Sequence, residues 1–409
     1  MVSDSKPRQA RGLWHRYQGA YSGLPRAAWI LAGVQLVNMC GSMAIFFLTL
    51  YLSRCRGWTA QGAGLAMSGY GLGMLGGGLA GGALSDRLGA FRVQRLSLTG
   101  SALLLGGLPF LSAPPWIFVG VVGLGFSAAA LWPASAAAMA ALCPEESRAK
   151  GFVLNRLANN LGVAVGPGVG GLLAQHDYRL LFFVDGGTCL LAAAALLRLF
   201  PMDRAQAPGS RAQTPPPGLA WISDRVFLAL LAASVGIGLI FSQVFSTFGP
   251  YLKLFQGLTE SSIGRLIAVN AILIVAAQMP LTHFANRFSG VRVAALGCVA
   301  LALGFGLMPA GRGFAFMALT VVTWTLGEML VMPSLTTLIS LRAPEGVTGR
   351  YMGLHSLSFS VGITLGPALG MQLLQARGGA ALWLAVSGCC LCVGALFLLL
   401  SRAWNGRST

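Results

Sequence analysis

Residues 82–95 read GALSDRLGAFRVQR. The acid–base pair Asp86-Arg87 and Gly89 sit in a turn a few residues long, with Arg92 and Arg95 just beyond. On either side the chain is apolar for long enough to cross a bilayer, which takes about 20 residues of helix. The pattern returns at a fixed offset of 200: Asn286-Arg287 stands where Asp86-Arg87 stands, and Arg292-Val293 where Arg92-Val93 stands. The register holds far beyond the turn. Tyr51-Leu52 matches Tyr251-Leu252, Gly57, Thr59 and Gly64 match Gly257, Thr259 and Gly264, and Pro133 matches Pro333. Pro144-Glu145 matches Pro344-Glu345, and Gly162, Gly166-Pro167 and Gly170 match Gly362, Gly366-Pro367 and Gly370.

One register kept at turn and charge positions predicts two halves related by an axis along the membrane normal. That is a secondary-transporter architecture, with a small-molecule site between the halves near the midplane. The composition agrees. Of 409 residues, 55% are hydrophobic and 10% charged, with a mean hydropathy of +0.71. Soluble domains carry about a quarter charged residues, so a water-soluble enzyme is excluded, as is a disordered chain. The runs are too long and too uniformly apolar for an outer-membrane barrel. They predict an all-α membrane protein with twelve transmembrane helices in two pseudo-symmetric six-helix bundles. The segments fall at 27–53, 61–83, 93–112, 115–142, 150–175, 179–200, 226–253, 261–284, 293–311, 314–341, 349–376 and 380–401. The expected organisation is an N-terminal segment 1–26, a first bundle 27–200, a central loop 201–225, a second bundle 226–401 and a tail 402–409.

The net charge is +17, from 28 Lys and Arg against 11 Asp and Glu. These cations lie between apolar runs, where they set topology, so nucleic acid is not an expected partner. An even number of crossings puts both ends on one side, and 20 cations fall there against seven opposite. Both termini are therefore expected in the cytoplasm, with the chain in a bacterial inner membrane and in contact with its lipid. The first apolar run is too long for a signal-peptide core, and the proline-rich central loop favours extended chain. Six of the eight cysteines fall within apolar runs and act as small apolar residues. Cys389 and Cys392 have CxxC spacing but no second pair to complete a zinc site. The four histidines are scattered, and no HExxH, GxSxG or phosphate-binding loop is present. No enzyme, metal or cofactor is expected, and the six-plus-six fold is expected to be complete as a monomer.

A charge near the bilayer centre costs at least about 2.5–3.5 kcal/mol and persists where it faces water or a partner. Glu328 lies about 14 residues into its segment, roughly 21 Å along the helix. It reads as a proton-coupling or substrate-binding carboxylate, or as one member of a structural ion pair. Asp185 either binds protons or cations or pairs with Arg179 at the start of its helix. Arg156 either balances a carboxylate or anionic substrate or reaches to headgroups. His355 is a hydrogen-bonded packing residue or a proton relay. Asn38, Gln243, Ser246 and Asn270 offer hydrogen bonds, and Phe46, Phe47, Trp132 and Phe245 offer aromatic contact. That mixture suits an amphipathic, drug-like substrate better than a sugar or a multiply charged metabolite.

These motifs carry a resemblance. The run Gly82-x-x-x-Asp86-Arg87-x-Gly89 followed by Arg92 resembles the loop between the second and third helices of the major facilitator superfamily. Gly162, Gly166-Pro167, Gly170 and Gly171 are similar to the antiporter signature of its drug–proton exporters, and Pro144-Glu145-Glu146-Ser147-Arg148 to a further loop motif. Within the superfamily the likeness is closest to MdtH-type multidrug-resistance exporters. The resemblance implies alternating access with protons as partner. It makes Gly82, Asp86, Arg87, Gly89, Arg92, Glu145 and Arg148 a gating set, in which Asp86 faces the start of the eleventh segment. Gly82 is expected to allow close helix approach and Gly89 a tight turn. The alternative within the family is transport of a specific metabolite, siderophore or peptide fragment. Two departures stand out: Val119 occupies the place of an arginine found in many proton-coupled relatives, and the first segment carries no acid.

Overall fold

The computed structural model describes residues 23–200, 222–285, 287–344 and 348–404. Most of the expected N-terminal segment and central loop, and the end of the tail, lie outside the described residues, as do Asn286 and Glu345.

The first bundle is built from α1 (Arg26–Gly41), α2 (Ala44–Cys55), α3 (Ala60–Leu88), α4 (Ala90–Gly107), α5 (Pro114–Leu142), α6 (Glu145–His176) and α7 (Tyr178–Leu199). The second holds α8 (Arg225–Ser246), α9 (Phe248–Leu254), α10 (Glu260–Ala285), α11 (Gly290–Gly306), α12 (Phe314–Arg342) and α13 (Thr348–Trp404). Gly378, at φ 80°, reverses α13 so that it crosses twice. Among the described residues, nine helical stretches are long and apolar enough to cross a membrane, α13 counting once and α1 with α2 as one. The α3 and α4 stretches fall short because glycine dilutes one and arginine interrupts the other. With them and both arms of α13 the crossings number twelve.

Side chains at the helix starts take up main-chain N–H groups that have no partner inside the helix. Thr59 caps α3 through the Gly62 N–H at 3.1 Å, and Asp177 caps α7 through that of Arg179 at 2.8 Å. Asp224 caps α8 through the N–H groups of Val226 and Phe227, both at 3.1 Å. Its two oxygens also accept from Arg342 at 2.6 and 2.8 Å, fastening the entry of the second bundle to the end of α12. Gly89 has φ 87° in the turn between α3 and α4, the conformation expected of it.

The first and seventh crossings, expected to be continuous, are each broken. In the seventh the cause is local: Pro250 has no N–H for the carbonyl of Ser246, and the helix stops there and restarts at Phe248. The first crossing has no proline at its break. Its α1 ends in a tight turn at Gly41–Met43, and α2 begins on a carboxylate from another helix, described below.

Within the first bundle α3 packs on α5, α4 on α5 and α7, and α1 on α6 and α7; within the second α8 packs on α13, and α11 on α12 and α13. Two seams join the bundles, α3 with α13 and α6 with α10. They repeat the sequence symmetry. A methyl group on Gly64 would lie 2.8 Å from the Pro367 carbonyl oxygen, and one on Gly264 would collide with that of Pro167.

Candidate functional site

A cavity of about 450 Å³ lies between the bundles. The first bundle lines it with Asn38, Phe46, Tyr70, Trp132, Asn159, Asn160 and Asp185, the second with Phe245, Asn270, Trp324, Glu328 and Phe359. Met39, Met67, Met74 and Met332 add flexible apolar surface that adapts to irregular ligands. Phe46 and Phe245, with ring centroids 5.2 Å apart, meet across the bundles.

The seam bonds gather toward the ends of α3, α6, α10 and α13 that lie away from the basic loops. Gln61 donates its main-chain N–H to Gln375 Oε1 (3.3 Å), and Ala368 donates its own to Ser68 Oγ (3.2 Å). Tyr178 donates to Glu260 Oε1 at 2.8 Å, and Lys253 pairs with Glu260 Oε2 at 2.8 Å. On the face carrying Arg87 and Arg92, the side chains of Asp86 and Arg87 are exposed and have no hydrogen-bond or ion-pair partner among the described residues. Among the described residues Asp86 therefore has no bonding partner at the start of α13, where one was expected, and the hydrogen bonds between the bundles lie toward the opposite end. Arg92 and Arg148 are also exposed on that face, and the Glu145 side chain lies outside the described residues.

Glu328 sits midway along α12, against the cavity. Asn270 of α10 donates to its Oε2 at 2.9 Å and also to Thr325 Oγ1 at 3.0 Å. Arg156, on the opposite bundle, lies within electrostatic reach of the carboxylate. Sequence symmetry does not demand this acid, since Ala128 holds its counterpart position and also lines the cavity.

Asp185 is corrected in its partner. Arg179 stays exposed, and Asp185, 7% exposed, instead accepts the main-chain N–H groups of Met43 and Ala44 on Oδ2, each at 3.2 Å. It caps α2 at the break in the first crossing. Asn38 lines the cavity and accepts from the Cys189 thiol at 3.3 Å. Gln243 is turned into the α8–α13 contact, where its amide donates to Gly366 O at 2.9 Å and Leu239 O at 3.1 Å. His355 bonds Ser234 Oγ at 2.8 Å, and that hydroxyl donates to Leu230 O, a placement that fits packing between α8 and α13. Phe47 is buried in the first bundle, and Ser246 bonds the carbonyl of Ser242.

The glycine motif of α6 has two faces. Gly162 packs on Met39, and a methyl group on Gly166 would come within 3.0–3.2 Å of the carbonyl oxygens of Cys40, Met39 and Ser42. Gly170 packs on Met43, so all three seat α6 on the broken first crossing. Gly171 and the Pro167 carbonyl face α10 of the other bundle. The expectation for Gly82 is overturned: a side chain there would meet open space. Close approach is made one residue earlier and each turn before it, by Gly81, Gly77 and Gly73 against the α5 backbone at Ala130, Phe126 and Val122. Sequence reasoning also missed Tyr70, the Asn159-Asn160 pair and the Tyr178–Glu260–Lys253 cluster. Two adjacent asparagines in an apolar helix were the readable signal among these.

Two related six-crossing bundles around a cavity sealed at one end define a multi-pass membrane transporter of small molecules. The Major Facilitator Superfamily model matches residues 31–367 and 257–408, and the chain belongs to that family. It is similar to the MFS-type transporter YttB of Bacillus subtilis (strain 168), 29% identical over 371 residues, covering 89% of this chain and 92% of that one. It is also similar to the multidrug resistance protein MdtH of Aeromonas hydrophila, 23% identical over 341 residues, covering 82% and 84%. Among solved structures, a peptide transporter POT in complex with sulfate superposes with a TM-score of 0.79 at 16% identity, covering 94% of this chain and 96% of that one. That likeness speaks for the fold.

Proposed function

We propose that this transporter is a proton-coupled exporter of amphipathic, drug-like compounds in a bacterial inner membrane, working as a monomer with both termini cytoplasmic. The observation that carries the reading is Glu328, a carboxylate midway along α12 that faces a cavity rich in methionine and aromatic surface. Charged, it favours a cationic ligand; protonated, it is neutral and releases one. Proton and substrate then compete for one group, which is the logic of exchange. Asn270 holds the carboxylate in place, and Arg156 balances its charge across the cleft. The name of the MdtH relative supports drug efflux. The bundles 27–200 and 226–401 would rock as units, closing the basic face on Asp86, Arg87, Arg92 and Arg148 as the far seam opens.

A susceptibility panel in a pump-deficient host identifies an exported compound. Everted vesicles with a pH-sensitive dye then read proton movement when that compound is added. Glu328→Gln is expected to abolish substrate-induced proton movement. Unchanged coupling in that variant would overturn the assignment.

A further inference from the structure

The breaks in the first and seventh crossings are equivalent by symmetry, yet they are held by different chemistry. At the seventh, Gln243 bridges Leu239 O and Gly366 O through its amide, and accepts from Thr247 Oγ1 at 3.0 Å. None of these groups titrates. At the first, the position equivalent to Gln243 is Met43, whose side chain cannot hydrogen-bond in that way. Its main-chain N–H, with that of Ala44, is taken by Asp185 from α7.

This carboxylate is satisfied unevenly. Oδ2 accepts both N–H groups, whereas Oδ1 has the Cys189 thiol at 3.9 Å, and that thiol is closer to Asn38 Oδ1, at 3.3 Å. Lone pairs on Oδ1 are therefore available, and Asp185 lines the cavity that separates the bundles. Among the described residues no cation pairs with it. Of the elements packed on α7, α1 presents Asn38, α2 its N–H groups and α4 Ser101; Tyr70 of α3, which is not packed on α7, lies within electrostatic reach of the carboxylate on the cavity wall. α6 contributes Asn159 to the same wall. The titratable groups that act on Asp185 are Tyr70 and its own-helix neighbour Cys189.

We propose that Asp185 is a second proton site, and that its occupancy is read by the break in the first crossing. A proton from cavity water adds to Oδ1. The carboxyl group becomes neutral, Oδ2 becomes a weaker acceptor, and the positive end of the α2 dipole loses its counter-charge. The start of α2 then loosens, next to the α6 glycines that seat on it. The seventh crossing, held by an amide, stays indifferent to pH. The inference concerns Asp185 alone and stands whether or not Glu328 couples transport.

Two measurements on the full chain in detergent test it. The first counts protons bound between about pH 5 and 9 with an indicator dye. Asp185→Asn is expected to bind one proton fewer than the unmodified chain, and the same change in a Glu328→Gln background to remove one more than Glu328→Gln alone. The second is hydrogen exchange at residues 43–47, corrected for the intrinsic pH dependence of amide exchange. Protection there is expected to fall about tenfold toward acid in the unmodified chain, while residues 247–251 stay constant. Asp185→Asn keeps an acceptor for both N–H groups and should flatten that dependence; Asp185→Ala removes the cap and should exchange fast at every pH. If Asp185→Asn matches the unmodified chain in both measurements and only Asp185→Ala differs, the residue is a cap and the proposal falls. A pH-independent exchange rate in the unmodified chain overturns it without any variant. A missing proton in Glu328→Gln, by contrast, bears only on the coupling role of that residue.

Discussion

Gly264 faces the carbonyl oxygen of Pro167 in the opposite bundle so closely that any Cβ would collide with it. The contact leaves no room for a side chain, and it is repeated by symmetry between Gly64 and Pro367. Gly264→Val should prop this seam apart and reduce transport at least tenfold in vesicles, with the protein still inserted. Gly82→Ala adds a methyl group into open space and should leave transport within twofold, although it changes a motif glycine.

Tyr178 and Glu260 form a bond between bundles at the sealed end. A hydrogen bond to a charged group is worth about 1.5–3 kcal/mol, enough to shift a two-state population by roughly tenfold or more. Tyr178→Phe should raise the labelling rate of a cysteine introduced at Ala128, a cavity position, by about that factor when reagent is supplied from the face opposite the basic loops. A smaller rise is expected from Gln375→Ala, whose contact is longer, at 3.3 Å.

Asp224 outside the span offers a pH-dependent contribution to stability. Partial burial raises its pKa, but the Arg342 hydrogen bond and the N–H groups of Phe227 and Val226 outweigh it and hold the carboxyl below its ordinary range. A lowered folded value means that the stabilisation is complete above the unfolded pKa of about 3.9 and is lost as pH falls through the folded value. Asp224→Asn should therefore lower Tm in detergent at pH 7, and the gap from the unmodified chain should narrow as the pH drops below about 4. Arg342→Lys should also lower Tm, since a lysine cannot reproduce the two-oxygen contact.

Gly378 turns α13 back across the membrane at φ 80°. Any residue with a Cβ is disfavoured there by about 1–2 kcal/mol. Gly378→Ala should lower Tm by a few degrees and leave substrate selectivity untouched, because the residue is remote from the cavity wall.

The twelve crossings were legible because length, apolar run and charge spacing are properties of local sequence, and because a repeat at one offset reports symmetry directly. Glu328 was legible for the same reason: an acid that symmetry does not require must answer to something else. Asp185 was only half legible. Its burial followed from its place in an apolar helix, but its partners are main-chain groups 141 and 142 residues away, which no side-chain pattern reveals. The break beside it was hidden because no proline marks it, whereas Pro250 would have betrayed the other. The place of Gly82 was not legible, because it belongs to the turn motif while the backbone contact with α5 is made by the stripe Gly73, Gly77 and Gly81.

That stripe constrains what kind of machine this is. Three successive turns of α3 lie backbone to backbone on α5, so a slip of one residue would drive side chains into carbonyl groups. The pair is a stiff girder with a fixed setting. Against α13, in contrast, α3 also works through flexible arms such as Ser68 and Met371. Along that joint rigid backbone contacts, at Gly64 on Pro367 and Gly71 on Thr364, stand beside these flexible side chains. If the bundles rock as proposed, a stroke that begins at one rim would be carried through this girder to the other instead of being absorbed as bending along the way.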